Sequence, residues 1–241
     1  MAELKKSCPD ASLQPFQHTW SRTGKNIKMW NVMGSQNWEK AKKRVLLIAH
    51  WDTRPTADME TGSIKQAEPI PGANDGASGV AVVLELSRVL KDLSPDIGVQ
   101  YLFVDGEDLG PGLDEMFLGA EAYAKAPTQP KADYGILLDM IGDKDLRVPK
   151  EPNSVRSAPQ LIKDLYLHAA RIGLASTFPN EMQDEIYDDH LSIQRAGIPT
   201  IDLIDFTYDP WHTLRDTPDK CSPESLYKVG ILLETWLRKG G

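Results

Sequence analysis

The sequence predicts an α/β chain folded in three layers, α/β/α, around a central mixed sheet that is mostly parallel. Short apolar runs alternate with helix-length segments, the pattern that builds a layered, largely parallel sheet. The runs are apolar at nearly every position, as strands covered on both faces are. Acids and histidines collect where the runs stop, and ligands bind at the carboxyl ends of strands in an open α/β sheet. A chain of 241 residues, 41% hydrophobic and 26% charged, has ordinary globular composition. Its length suits one large domain, 1–241, better than two.

Residues 1–25 carry no clear periodicity and are expected to form an irregular N-terminal segment. Residues 26–32 are expected as an edge strand pairing with the run 44–49, the first strand of the parallel set. A long loop over 53–78 follows. A helix over 79–90 comes next, with Val80, Val83, Leu84, Ser87 and Leu90 on one stripe. The run 99–104 is the second strand, followed by a loop at 109–115 and a helix over 116–126. The third strand is 134–139, with a helix over 158–172 after it. A short helix over 189–196 leads into the fourth strand, 199–204, and then a loop over 205–221. The last helix, 223–238, starts from Ser222 as its N-cap, with Pro223 at the first helical position. Glu224 then puts a negative charge in the first turn, where it suits the helix dipole. Loops as long as 53–78 and 205–221 are usually functional or mobile in a compact domain.

Net charge is −8, and no Lys/Arg cluster extends beyond short pieces such as residues 40–44. Nucleic acid is therefore not expected as a partner. No apolar run approaches the roughly 20 residues needed to span a membrane. Residues 1–10 are polar and lack a signal-peptide core. Cys8 and Cys221 lie far apart and define no disulfide framework, so pairing and free thiols both stay open.

The strongest functional signal is Asp105-Gly106-Glu107-Asp108, directly after the run 99–104. Acids at the end of a buried strand cost free energy unless something positive holds them. A divalent metal is the simplest holder, with one carboxylate bound and its neighbour free to move a proton. Other polar groups gather at comparable positions: His50 and Asp52, Asp75 within the glycine-rich turn 71–79, Asp139, Asp188-Asp189-His190, Asp202 and His212. Zinc accepts histidine nitrogen and carboxylate oxygen, and catalytic sites use about three protein ligands. Asp75, Asp108 and His212 supply such a set from three separate loops. Taken singly, each residue has a plainer reading. The glycine-rich turn lacks the Lys-Ser/Thr of a phosphate loop, and Asp75 would repel phosphate. His50 alone reads as a core histidine bonded to Asp52, His190 as a local cap or pair, Asp139 as a turn residue and Trp211 as core. The joint pattern argues against that account, since unrelated strand ends seldom all finish in acids and histidines.

These motifs resemble one family. His50-Trp51-Asp52, the 71–79 turn, Asp105-Gly106-Glu107-Asp108, Leu137-Leu138-Asp139-Met140-Ile141-Gly142, Asp188-Asp189-His190 and Trp211-His212-Thr213 fall in the order found in glutaminyl cyclases (glutaminyl-peptide cyclotransferases). The wider resemblance is to the zinc exopeptidases of the same fold. It covers about residues 44–238. It implies one zinc ion on Asp75, Asp108 and His212, with Glu107 as general acid/base. Asp139 and Asp188 are implied as acids in a network beside it, and Trp211, Ile186 and Ile204 as walls of the substrate pocket. The implied substrates are peptides or proteins with N-terminal glutamine, the products pyroglutamate and ammonia, and the chain a monomer. Bacterial relatives are often exported, so a secreted or periplasmic protein is implied. The sequence departs from animal cyclases in carrying Asp108 for Glu, Asp202 for His and no aromatic in 109–113. The resemblance also leaves a two-zinc aminopeptidase open, with His50 and Asp139 holding a second ion and Asp75 bridging. An inactive binding relative is the third possibility, against which Glu107 argues, because a pure scaffold needs no free acid beside the metal.

Overall fold

The computed structural model describes residues 1–241. In chain order the elements are β1 (Ser12–Trp20), β2 (Lys25–Gln36), β3 (Lys43–His50), α1 (Ser63–Gln66), α2 (Ala77–Val89), β4 (Ile97–Val104) and α3 (Leu118–Lys125). They continue as β5 (Tyr134–Asp139), α4 (Pro152–Ser157), α5 (Pro159–Arg171), α6 (Asp189–Arg195), β6 (Thr200–Ile204) and α7 (Pro223–Arg238). One six-stranded sheet has the order β1-β2-β4-β3-β5-β6. The four strands from β4 to β6 are parallel, and β1 and β2 add an antiparallel flank. The fold is the mixed, mostly parallel α/β sheet expected from the sequence.

Helices cover both faces. On one face Val45, Leu47 and Ala49 of β3 pack with Val83 and Leu86 of α2, Leu165 of α5 and Leu233 of α7. On the other, Leu46 and Ile48 meet Tyr123 of α3 and Ile193 of α6. Every residue of β4 and β5 is buried, which is why these strands read as largely apolar runs rather than as alternation. The chain places β4 on one side of β3 and then crosses to β5 on the other. That reversal leaves a crevice outside the carboxyl ends of the strands. Helix α7 starts from Ser222, whose hydroxyl accepts the Glu224 N–H at 3.2 Å.

The N-terminal part differs from expectation. Residues 12–20, within the segment expected to be irregular, form the outer strand β1, and β2 pairs with β1 and β4 rather than with β3. The signal was weak because β1 is only half-covered and its polar and apolar residues do not sort by face: Leu13 is exposed, whereas Gln14 and His18 are half-buried. Pro15 also argues against a strand, yet an outer strand tolerates it. The short helices α1 and α4 lie in stretches read as connections. Cys8 is buried and Cys221 half-buried, and both are free thiols. No helix is long and apolar enough to cross a membrane.

Candidate metal centre

Strand β3 ends in His50, and two residues on Asp52 turns back to hold the end of β4. Its carboxylate accepts the N–H of Glu107 at 3.2 Å and of Asp108 at 3.1 Å. Gly106 makes that turn possible with φ +67°, a left-handed conformation that glycine adopts freely. Asp105 faces elsewhere, accepting the Trp30 N–H at 2.9 Å.

Asp75 is held by its backbone. The Asp216 carboxylate accepts the N–H of Asn74 at 2.9 Å and of Asp75 at 3.2 Å, and Thr53 donates to the Asp75 carbonyl at 3.0 Å. A Cβ on Gly76 would lie 2.6 Å from the His50 ring, so only glycine lets this turn approach β3 so closely. Asn74 Oδ1 accepts the Gly142 N–H at 2.7 Å and ties the turn to the end of β5.

His212 adopts φ +54°, a conformation rare for a side chain of its size. Trp211 stacks on it at 4.0 Å between ring centroids. Its Nδ1 donates to Asp58 at 3.0 Å, leaving Nε2 to face Asp108 Oδ1 at 3.2 Å and Asp75 Oδ2 at 3.6 Å. Zinc bonds of about 2.0–2.2 Å at tetrahedral angles need donors about 3.3–3.6 Å apart, so this spacing fits. Two further atoms point to a cation: Asp75 Oδ2 and Asp108 Oδ2 are buried without any hydrogen-bond partner. A buried carboxylate oxygen is seldom left so.

The electrostatics agree. Burial and the negative charge of Asp75 push the Asp108 carboxyl up to about 7. Burial opposes protonation of His212, but hydrogen bonds to Asp108 and Asp58 outweigh it and lift the ring to about 9. A metal needs both groups deprotonated. Zinc added to the metal-free protein is therefore expected to release more protons below about pH 7 than above about pH 9. Zinc affinity should rise with pH accordingly. Titration calorimetry in buffers of different ionisation enthalpy measures this count, and a pH-independent count contradicts the assignment.

His50, Asp75 and Asp139 form a second cluster of donors. His50 Nε2 stands 3.2 Å from Asp75 Oδ1 and 3.2 Å from Asp139 Oδ1, so Asp75 serves each cluster with a different oxygen. The two clusters are not alike. Here Asp139 Oδ1 shares a hydrogen bond with His50 Nε2, and it is His50 Nδ1 that is left without a partner. Burial works against protonating His50, yet the charge of Asp139 and contacts with Asp139, Asp52 and Asp75 hold its pKa well above the usual value.

Glu107 belongs to neither cluster. It is buried, and its Oε2 lies 3.6 Å from His50 Nδ1. Burial and the adjacent Asp108 carry its carboxyl well above the ordinary range. Asp139 is held ionised against burial by His50, whereas burial and the charges of Asp202 and Asp139 raise Asp188. Neighbouring carboxyls pushed in opposite directions suit the exchange of protons.

A cavity of about 490 Å³ opens onto these groups. Asp75, Asp108 and His212 line it, as do Glu107, Asp139 and Asp188, and so do Trp211, Ile186 and Ile204. Ile186 and Ile204 cluster with Met140, Tyr208 and Trp211 into an apolar wall. Asp202 sits behind, fully buried with both oxygens unpartnered. Two members of the site gave no sequence signal. Arg54 donates to Asp58 at 2.6 and 3.0 Å and to Asp108 Oδ1 at 3.2 Å, linking the carboxylate behind His212 to a candidate ligand. Partners that orient ligand histidines commonly matter 10- to 100-fold for metal affinity, so Asp58→Ala is expected to weaken zinc binding by about that factor. Competition with a chelator measures it, and unchanged affinity would remove Asp58 from the site.

This sheet with donors gathered at its strand ends is the architecture of zinc exopeptidase-like proteins. Residues 31–237 match the model of peptidase family M28, and the chain belongs to that family. It superposes on the glutaminyl cyclase of Tannerella forsythia with TM-score 0.92 and 33% identity, over 100% of this chain and 88% of that one. A Zn-dependent exopeptidase from Parabacteroides distasonis gives TM-score 0.88 and 32% identity, over 98% and 86%. Glutaminyl-peptide cyclotransferase of Bos taurus is 26% identical over 86% of this chain, which spans 65% of that protein's length. The relatives thus include both cyclase and exopeptidase.

Proposed function

We propose that the chain is a zinc-dependent glutaminyl-peptide cyclotransferase, converting N-terminal glutamine to pyroglutamate with release of ammonia. The asymmetry of the two donor clusters carries this reading. His212 has its outer nitrogen fixed by Asp58, and its Nε2 faces Asp75 Oδ2, which has no hydrogen-bond partner, and Asp108 Oδ1, whose sister oxygen Oδ2 has none either. His50 Nδ1 has no such hydrogen bond, its nearest acids being Glu107 at 3.6 Å and Asp52 at 3.8 Å. One ion rather than two is the arrangement this favours, with Glu107 free beside it.

Asp75, Asp108 and His212 would hold the zinc ion, which supplies Lewis-acid polarisation of the substrate γ-carbonyl oxygen. Glu107 takes a proton from the α-amine as that nitrogen bonds to the γ-carboxamide carbon. The carbon–nitrogen bond of the carboxamide breaks, and Glu107 returns the proton to the departing ammonia. A base that must also act as an acid works best with a pKa near the operating pH, and burial beside Asp108 raises Glu107 from its ordinary value. Ring closure is intramolecular, so the apolar wall of Trp211, Ile186 and Ile204 contributes by holding the bent conformer and excluding water.

A two-zinc aminopeptidase is the second reading, favoured by the way Asp75 presents one oxygen to each cluster. Mass spectrometry of a glutamine-initiated peptide after incubation separates the two. Loss of ammonia with every residue retained is expected, whereas free glutamine and a shortened peptide would overturn the proposal.

A further inference from the structure

Glu151 is fully buried and lies outside the residues that line the cavity. It caps α4, but its carboxylate does more than a cap requires. Oε1 accepts from the Asn153 N–H at 2.8 Å, the Asn153 side-chain amide at 2.9 Å and the Ile186 N–H at 3.3 Å. Oε2 accepts from the Ser154 N–H at 2.6 Å and the Ser154 hydroxyl at 2.8 Å, with His190 Nε2 3.4 Å away. A carboxylate offers acceptors on both oxygens, whereas an amide offers one oxygen and places two donors on the other side. Burial opposes ionisation here, but His190 and the surrounding N–H donors hold the carboxyl down at about 2. A depressed pKa of this kind keeps the carboxylate charged through the ordinary carboxyl range, and the charge is lost only as pH falls through about 2.

Ile186 is gripped at both of its backbone groups. Its N–H goes to Glu151, and its carbonyl oxygen accepts from the Asn153 side-chain amide at 3.2 Å. The stretch 183–188 lines the cavity throughout and has no helix or strand of its own. Its start is fixed by a backbone bridge between Lys150 and Met182. Gln183 donates to the Pro149 and Ile204 carbonyls and Arg156 pairs with Glu185, but the backbone hydrogen bonds at Ile186 itself come from Glu151 and Asn153.

We propose that Glu151 and Asn153 form a clamp that positions Ile186, and thereby sets how tightly the cavity grips the side chain of its substrate. Glu151 is a positioning residue, since it acts through the Ile186 backbone and touches no reacting atom. The inference rests on the cavity being the substrate pocket proposed above. It places a determinant of substrate affinity on α4, behind the wall rather than on it.

Asn153 is part-exposed and off the catalytic groups, so Asn153→Ala should fold. It removes the side-chain hydrogen bonds to the Ile186 carbonyl and the Glu151 carboxylate, and is expected to raise KM for a glutamine-initiated peptide by roughly 2- to 10-fold, with kcat and zinc per chain unchanged. Glu151→Gln turns a donor toward N–H and O–H groups that need acceptors, so it should raise KM further. It should also speed hydrogen exchange at the Ile186 amide. Wild-type KM and wild-type Ile186 exchange in both variants, with only a lowered Tm, would reduce the clamp to an ordinary helix cap and overturn the proposal. If Glu151→Gln does not fold, Asn153→Ala decides alone. A parent protein that makes no pyroglutamate would defeat the functional reading, while Ile186 exchange would still test the clamp.

Discussion

Glu107→Gln is expected to keep its zinc and its fold while turnover falls by about 10²- to 10⁴-fold, the usual contribution of a positioned general acid–base group. The structure makes this a clean test. The turn that carries Glu107 is held through backbone N–H groups by Asp52, so the substitution leaves it in place. The Glu107 side chain belongs to neither donor cluster, and its Oε2 lies 3.6 Å from His50 Nδ1. A glutamine of the same shape also removes a buried acid whose ionisation burial already disfavours. What it cannot do is accept the α-amine proton and return it. Single-turnover kinetics on a glutamine-initiated peptide, with elemental analysis of the same sample, gives both numbers. A kcat near that of the parent would refute the role assigned to Glu107.

His212→Ala is expected to lose the metal outright, and with it nearly all turnover. Removing the imidazole leaves Asp75 and Asp108 facing each other with two ligands where a catalytic zinc site uses about three. Arg54 still reaches Asp108 Oδ1 at 3.2 Å, so the chain keeps one local positive charge and should remain folded. The stacked Trp211 loses its neighbour at the same time, and some loosening of the cavity wall follows. Elemental analysis after dialysis is the measurement. A variant that retained one zinc per chain would remove His212 from the ligand set.

Much of this was legible in the sequence because burial on both faces leaves a plain mark. Strands β3, β4, β5 and β6 read as largely apolar runs, and acids placed where such runs end demand an explanation. Asp75, Asp108 and His212 lie in three separate loops, yet each sits beside a strand end, so the fold that the runs predict also predicts their convergence. The β1–β2 hairpin was less legible, since β1 is covered on one face and contains Pro15. Arg54 and Asp58 were invisible for a different reason. Both lie in the long loop 53–78, where no periodicity restricts where a side chain points, and their contacts with Asp108 and His212 exist only once the loop is folded back. Glu151 was hidden because the stretch around it reads as a connection and nothing local indicates that Ile186 shares its carboxylate.

The central claim is a single cation at Asp75, Asp108 and His212 with Glu107 unligated beside it. Anomalous diffraction at the zinc edge from metal-loaded crystals tests it most directly. One peak within bonding distance of those three side chains, and none between His50 and Asp139, is the expected result. A second peak at His50 and Asp139, or a peak bonded to Glu107, would contradict it.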